Sequence, residues 1–173
     1  QVNLDEPAST RWTDVVKPRA KKIQNLIDTF MKTDEANRTV IRMIMSMVAE
    51  KEMKRFPETY RDELTGISKM TDIDIGSLFV MNVMYELFGA CTSIVARGEN
   101  GTMWHGRNLD FGLFMGTNAS THNWELTQNL RDLLVDVEFM RGGKTSYRSV
   151  TYAGFVGLLT GSKKGGFSIS VDT

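Results

Sequence analysis

The chain contains a single cysteine, Cys91, followed by several groups that could support thiol chemistry. These groups are His105, Arg107 and Asp110, which come shortly after it in the sequence. A thiol is a strong nucleophile but is mostly protonated near neutral pH or below, so it needs a base. An α-amine, whose ordinary pKa is about 8, can be that base. If the chain were cut between Ala90 and Cys91, residue 91 would therefore supply both the nucleophile and the base.

Each of these residues also has a structural interpretation. An isolated cysteine belongs to the residue types that are most often buried in a core. Arg107 and Asp110 stand near a predicted turn, where such pairs are usually solvated and contribute little energy. His105 could instead be the base for the thiol, although a hydrogen-bonded structural role is the favoured interpretation. The second of the two histidines, His122, lies in a polar loop.

The elements upstream of Cys91 are predicted to be helical. Apolar residues at helical spacing predict helices over residues 12–31, beginning in earnest after Pro18, over 34–55 and over 57–68. Residues 74–88 are apolar on nearly every side, which predicts a buried helix that Asp74 can cap. In the second helix the residues expected to face inward are Val40, Ile41, Ile44, Met47 and Val48.

Downstream of Cys91 the sequence is typical of strands. Residues 92–96 and 102–107 flank a turn and predict a hairpin that follows directly from the cysteine. A second hairpin is predicted from residues 134–139 and 144–152, and a last strand from residues 166–171. Helices followed by at least five strands indicate an α+β fold.

Composition argues against several classes of function. The chain has 21 basic and 21 acidic residues, so no field of one sign favours nucleic acid. No apolar run is long enough to span a bilayer, and the N-terminus lacks the regions of a signal peptide, which predicts a soluble chain. We expect no cofactor and no metal. The acceptor sequons at Asn37, Asn100 and Asn118 favour a secreted or lysosomal glycoprotein whose signal has been removed.

A family resemblance is carried by the residues on both sides of the cysteine. They are the run Tyr85-Glu86-Leu87-Phe88-Gly89-Ala90-Cys91-Thr92-Ser93-Ile94-Val95 and the run His105-Gly106-Arg107-Asn108-Leu109-Asp110-Phe111-Gly112. These runs resemble the junction of the acid ceramidase family and its relative N-acylethanolamine acid amidase, where a precursor cuts itself just before a Cys-Thr-Ser. Further matches lie at residues 3–5, 11–12, 71–73, 155–161 and 167–168. Residues 111–116 and the insertion through Trp124 are similar to acid ceramidase.

The resemblance implies an N-terminal-nucleophile hydrolase, whose fold is an αββα sandwich of antiparallel strands and hairpins. Residues 1–90 would be the helical α-subunit segment and residues 91–173 the front part of the β-subunit, both pieces of one precursor. Cys91 would be the nucleophile, Arg107 would sit beside the reacting carbonyl, and Asp110 would fix the new amino group of residue 91. The family's β-subunit continues beyond Thr173 and brings an asparagine and a second arginine, so little hydrolysis is expected from residues 1–173 alone.

The implied function is that of a lysosomal or secreted amidase. It would convert ceramide to fatty acid and sphingosine through an acyl-thioester on Cys91, after self-cleavage between Ala90 and Cys91. The alternatives are an N-acylethanolamine amidase, or a non-catalytic relative that binds lipid or a protein partner. The eleven methionines and the apolar helices could form a surface that docks on membranes, although a core role is the default for such residues.

Overall fold

The structure, a computed structural model, describes residues 1–30, 35–111, 117–118 and 123–172. Within these ranges, nothing is described of the side chains of residues 30, 35–38, 40–41, 84–90, 109–111, 117–118 and 123–126. His122 and Thr173 lie outside the described residues.

The helices occupy most of the chain before the cysteine. They are α1 (Thr13–Val16), α2 (Ala20–Phe30), α3 (Glu35–Glu52), α4 (Glu58–Thr71), α5 (Ile75–Phe88) and the later α6 (Glu125–Arg131). The first five match the predicted helical segments, with short 3₁₀ turns at Lys17–Arg19 and Met53–Arg55. Asp74 caps α5 as predicted, because its carboxylate accepts the Ser77 N–H at 2.8 Å. The helix α6 was not predicted.

The strands are β1 (Val2–Asn3), β2 (Gly89–Arg97), β3 (Met103–Phe111), β4 (Thr117–Asn118), β5 (Asn123–Trp124), β6 (Leu134–Arg141), β7 (Lys144–Tyr152), β8 (Thr160–Ser162) and β9 (Ser168–Ser170). Five of them form a sheet in the order β1-β6-β7-β8-β9, while β2-β3 and β4-β5 form two-stranded sheets. All pairs are antiparallel except β1 with β6. Both predicted hairpins are present, and the α+β prediction is confirmed.

One face of the five-stranded sheet packs against the helices, and the opposite face is more exposed. Along β6 and β7, the buried side chains are Val137, Phe139, Ser149, Thr151 and Tyr152. The aromatic ring of Phe139 meets that of Trp12 edge-on at 5.8 Å between centroids, which joins the sheet to the segment before α1. The core therefore lies between the helices and one face of this sheet, whereas Asp136 and Arg148 of the opposite face are exposed.

The orientation of α3 corrects the prediction for this helix. Its exposed large apolar side chains are Met43, Ile44, Met47 and Val48, at 45–66% exposure. The prediction that Ile44, Met47 and Val48 face inward is therefore wrong, while Val40 and Ile41 lie outside the described side chains. The helix approaches α5 on another side, where Ala49 is buried and a methyl group at Gly76 would overlap the Ser46 backbone. This close approach through a glycine decides which face of α3 is covered.

A buried amide ties α5 to the turn that follows β7. Asn82, only 4% exposed, donates from Nδ2 to the carbonyl oxygens of Leu78 and Gly154, both at 2.9 Å. Its Oδ1 accepts the Val156 N–H at 2.7 Å. Since buried polar groups are costly unless paired, this amide fixes α5, which leads directly into β2 and Cys91, against the sheet.

Candidate active site

Cys91 and Arg107 lie on the same face of the β2–β3 hairpin. The pairing of these strands sets Cys91 opposite Leu109 and Arg107 opposite Ser93. Directly opposed residues share a face, and so do alternate residues along one strand. At about 3.3 Å per residue, the position of Arg107 is about 7 Å along the hairpin from that of Cys91. A long side chain can span this distance.

The cysteine is partly buried at the margin of the core. Cys91 has intermediate exposure and packs against the hydrophobic cluster formed by helices and sheet. The peptide bond between Ala90 and Cys91 lies inside β2, only a few residues after the end of α5 at Phe88. The side chain of Ala90 is outside the described residues. This position lets the thiol be reached from one side while the core holds it on the other.

The guanidinium of Arg107 is held by the end of the chain's last strand. Its Nη1 donates to the carbonyl oxygen of Val171 at 2.8 Å. Val171 directly follows β9, and its own N–H donates to the Leu159 carbonyl oxygen at 3.0 Å. The orientation of Arg107 therefore depends on where β9 lies relative to the hairpin.

Asp110 occupies the register position opposite Ala90. Its backbone is thus level with the residue that precedes the predicted cut, but its side chain is outside the described residues. The pairing passes Gly106 without a register shift. Because Arg107 and Asp110 are three residues apart on a regular strand, their positions belong to opposite faces of the hairpin. The role of Asp110 stays a prediction.

His105 contacts β9 through both ring nitrogens. Its Nδ1 lies 2.8 Å from Ser168 Oγ and its Nε2 lies 3.2 Å from Ser170 Oγ. These contacts agree with the hydrogen-bonded structural role favoured from the sequence. His105 is opposite Val95, four residues along β2 from Cys91, which corresponds to about 13 Å.

The two serines of β9 were not recognised from the sequence. Ser168 and Ser170 alternate with Ile169, so both belong to one face of β9, and Ser93 Oγ lies 2.7 Å from Ser170 Oγ. The alternation of serine with apolar residues was the available signal. Only the tertiary structure brings that face against the hairpin.

Several cavities lie elsewhere on the molecule. One of about 550 Å³ is lined by polar residues of the N-terminal segment and the β6–β7 turn, away from the candidate residues. Another of about 270 Å³ lies beside His105, Asp136, Arg148 and Ser168, between the hairpin and the open face of the sheet. Among the described residues, no cluster of His, Cys, Asp and Glu side chains could hold a metal ion. No helix in the described part of the chain is both long enough and apolar enough to cross a membrane.

The clearest pKa perturbations also lie away from Cys91. Hydrogen bonds from Thr145, Gln1 and Arg148 lower the pKa of Glu138 to about 2. Burial raises the pKa of Glu63 despite the opposing effect of Arg11, whose Nη1 is 3.3 Å from its carboxylate. Both carboxylates bind residues that are distant in the sequence, so these pKa shifts reflect contacts that stabilise the fold and not a catalytic site.

One of the three sequons lies in a described surface turn. Asn100 is exposed between β2 and β3, and its Oδ1 accepts the Thr102 N–H at 3.0 Å. The side chains of Asn37 and Asn118 lie outside the described residues. Glycosylation of all three stays a prediction.

Comparison with known proteins finds similarity along almost the whole chain. It is 37% identical to the acid ceramidase of Homo sapiens and 36% identical to that of Pan troglodytes, in each case over 178 aligned residues. It is 34% identical to the acid ceramidase of Mus musculus. Each alignment covers 99% of this chain, which spans 44% of the length of these relatives. No protein-family model matches the chain.

Proposed function

The chain belongs to the acid ceramidase family, and on that premise we propose that it carries the nucleophile of an amidase acting on N-acyl sphingoid bases. The substrate is ceramide, and the products are a fatty acid and sphingosine. The observation that supports this most is the shared hairpin face of Cys91 and Arg107, with both residues partly buried beside the core.

The proposed enzyme is produced by cleavage between Ala90 and Cys91. This cut divides the chain into a helical piece, residues 1–90, and a piece beginning with the nucleophile, residues 91–173. The new α-amine takes the proton of the thiol, because an amine with an ordinary pKa of about 8 is a competent base for it. Asp110, level with Ala90 in the register, is proposed to hold that amine.

Turnover then proceeds by acyl transfer. The Cys91 thiolate attacks the amide carbonyl and forms a tetrahedral oxyanion, the sphingosine amine leaves with a proton, and water releases the fatty acid from the thioester. A guanidinium carries five N–H donors, so the bond of Arg107 to the Val171 carbonyl can orient the group while other donors face the oxyanion. We assign this stabilising role to Arg107.

Delivery of such a substrate requires contact with a lipid surface, and α3 supports one. Its exposed apolar side chains at positions 43, 44, 47 and 48 are spaced to form one stripe along the helix. We propose that this stripe docks on membranes, and that the protein works in the lysosome or outside the cell. The exposed sequon at Asn100 supports a secretory route.

The test is hydrolysis of ceramide in mixed vesicles at acidic pH, by this chain extended with a family-like C-terminal segment and by three variants of the extended chain. The extended chain is the parent in every activity measurement, because little hydrolysis is expected from residues 1–173 alone. Cys91→Ala should fall below about a hundredth of the parent rate. Arg107→Lys should lose roughly 100-fold to 1,000-fold, because an ammonium lacks the planar set of donors. Arg97→Lys, the same change at the exposed end of β2, should stay within about twofold of the parent.

The outcomes separate the proposal from its alternatives. Hydrolysis by Cys91→Ala near the parent rate would contradict the assignment of Cys91 as the nucleophile. A parent that cleaves N-acylethanolamine but not ceramide would keep the mechanism and change the substrate. A parent that binds vesicles without turning over either lipid would support the non-catalytic, lipid-binding alternative.

A further inference from the structure

A group of polar side chains joins the hairpin to β9, and we call it the hydroxyl seam. It consists of Ser93 and His105 of the hairpin and Ser168 and Ser170 of β9. Ser170 Oγ is its centre, lying 2.7 Å from Ser93 Oγ, 3.2 Å from His105 Nε2 and 3.4 Å from Asp172 Oδ2. The seam lies on the hairpin face that also carries Cys91 and Arg107.

The partners of His105 in the seam are hydroxyls, which both donate and accept, so the ring can be bonded in either charge state. In the neutral tautomer that carries its proton on Nε2, this atom donates to Ser170 Oγ and Nδ1 accepts the Ser168 hydroxyl proton. In the charged ring both nitrogens donate.

The seam is consequently complete in both charge states of His105. The change from one state to the other requires only that the Ser168 hydroxyl turn round, because a hydroxyl both donates and accepts. The charged groups that the structure describes near the ring are Arg107 on the same strand, Arg148 and Asp136 at the neighbouring cavity, and Asp172 beyond Ser170.

The seam holds a short strand at the edge of its sheet. β9 has three residues and is the last strand in the described order β1-β6-β7-β8-β9, where it pairs with β8. Its next residue, Val171, provides the carbonyl oxygen that Arg107 binds at 2.8 Å. Displacement of β9 would therefore move the acceptor that orients the guanidinium.

We propose that His105 is a positioning residue, which holds β9 against the hairpin through Ser168 and Ser170 in both of its charge states and thereby keeps Arg107 aimed at the site of Cys91. This rests on the proposed function of Cys91 and Arg107. It also distinguishes His105 from a base for the thiol, because its position is about 13 Å along the hairpin from that of Cys91.

The experiment compares the parent with His105→Ala, Ser170→Ala and Ser170→Thr, and with Ser146→Ala as a control outside the seam on β7. The first readout is the pH profile of kcat and KM for ceramide hydrolysis. His105→Ala and Ser170→Ala should lower kcat by roughly tenfold to 100-fold, as small displacements of catalytic groups do, with KM within about twofold. Ser170→Thr, which keeps the hydroxyl, should recover most of kcat, and Ser146→Ala should match the parent.

The shape of the pH profile decides between positioning and base catalysis. The lowered kcat of His105→Ala should keep the same pH dependence as the parent, since the seam is intact in both charge states. Loss of one limb of the profile in this variant would show that His105 transfers a proton in the reaction and would overturn the proposal. Parent kcat in Ser170→Ala would overturn it equally.

A second readout does not need activity. The Val171 N–H bonds to the Leu159 carbonyl oxygen, so its hydrogen exchange reports how firmly β9 is held. Ser170→Ala and His105→Ala should raise this exchange rate about tenfold or more, whereas Ser146→Ala should not. Unchanged exchange would refute the seam even if the protein hydrolyses ceramide. Raised exchange in a protein that hydrolyses no amide would instead refute the proposed function and keep the seam.

Discussion

Replacement of Asn82 by alanine should destabilise the chain more than any exposed asparagine-to-alanine change. The side chain of Asn82 satisfies the carbonyl of Gly154 and the N–H of Val156, both within a buried turn. Leaving each buried group unpaired costs about 1–3 kcal/mol, and alanine returns about 0.7 kcal/mol of helix propensity. The expected net loss is about 1–5 kcal/mol of the free energy of unfolding.

The upper part of this range is roughly a third of the 5–15 kcal/mol that is typical of the total free energy of unfolding of a domain. For a chain of this size the full range corresponds to a fall in Tm of about 2–20 °C. The assay is urea and thermal unfolding followed by circular dichroism, on protein whose intact mass shows it uncut. Asn25→Ala is the matched control, since Asn25 is an exposed asparagine on α2. That variant should stay within about 0.5 kcal/mol of the parent.

The reasoning would be refuted if Asn82→Ala unfolded at the same urea concentration as Asn25→Ala. Such a result would mean that the 154–156 turn finds other partners and that the amide does not fix α5. Because α5 leads straight into the strand that carries Cys91, we also expect Asn82→Ala to slow any reaction of the thiol.

Two further predictions concern the ionisation of Glu138 in the sheet and the glycosylation of Asn100. The pKa of Glu138 is lowered to about 2 in the folded chain from an ordinary 4.5, so its contribution to stability is present above pH 4.5 and is lost as the pH falls towards 2. Glu138→Gln should therefore be less stable than the parent at pH 6, and the difference in stability should narrow as the pH falls from 4.5 towards 2. A difference that stays constant in urea titrations across this range contradicts the assignment. Asn100 should carry a glycan in protein from a secretory source, because its turn is exposed, and peptide mapping that finds Asn100 unmodified would count against the proposed route.

The parts of the fold that the sequence could predict are those set by local patterns. The cap at Asp74, the buried α5 and the hairpin after Cys91 each depend on residues close together in the chain. The turn between β2 and β3 has Gly101 at φ of 80°, a conformation that glycine adopts without steric cost. These local signals were sufficient to locate Cys91 at the junction of helix and strand.

The remaining features depend on contacts between distant residues. The strand β1 has two residues and pairs with β6, so no periodicity marks it. For α3 the apolar stripe was visible in the sequence, but the side covered by α5 depends on the close approach at Gly76. The contacts of Arg107 with Val171 and of His105 with Ser168 likewise arise only when β9 meets the hairpin.

The central claim, that Cys91 becomes an N-terminal nucleophile, is tested most directly by intact mass after incubation at acidic pH. The account predicts that the parent chain yields two pieces, residues 1–90 and residues 91–173, while Cys91→Ala stays whole under the same conditions. A parent that remains a single uncut chain would contradict the account, and so would Cys91→Ala being cut at the same bond at the parent's rate.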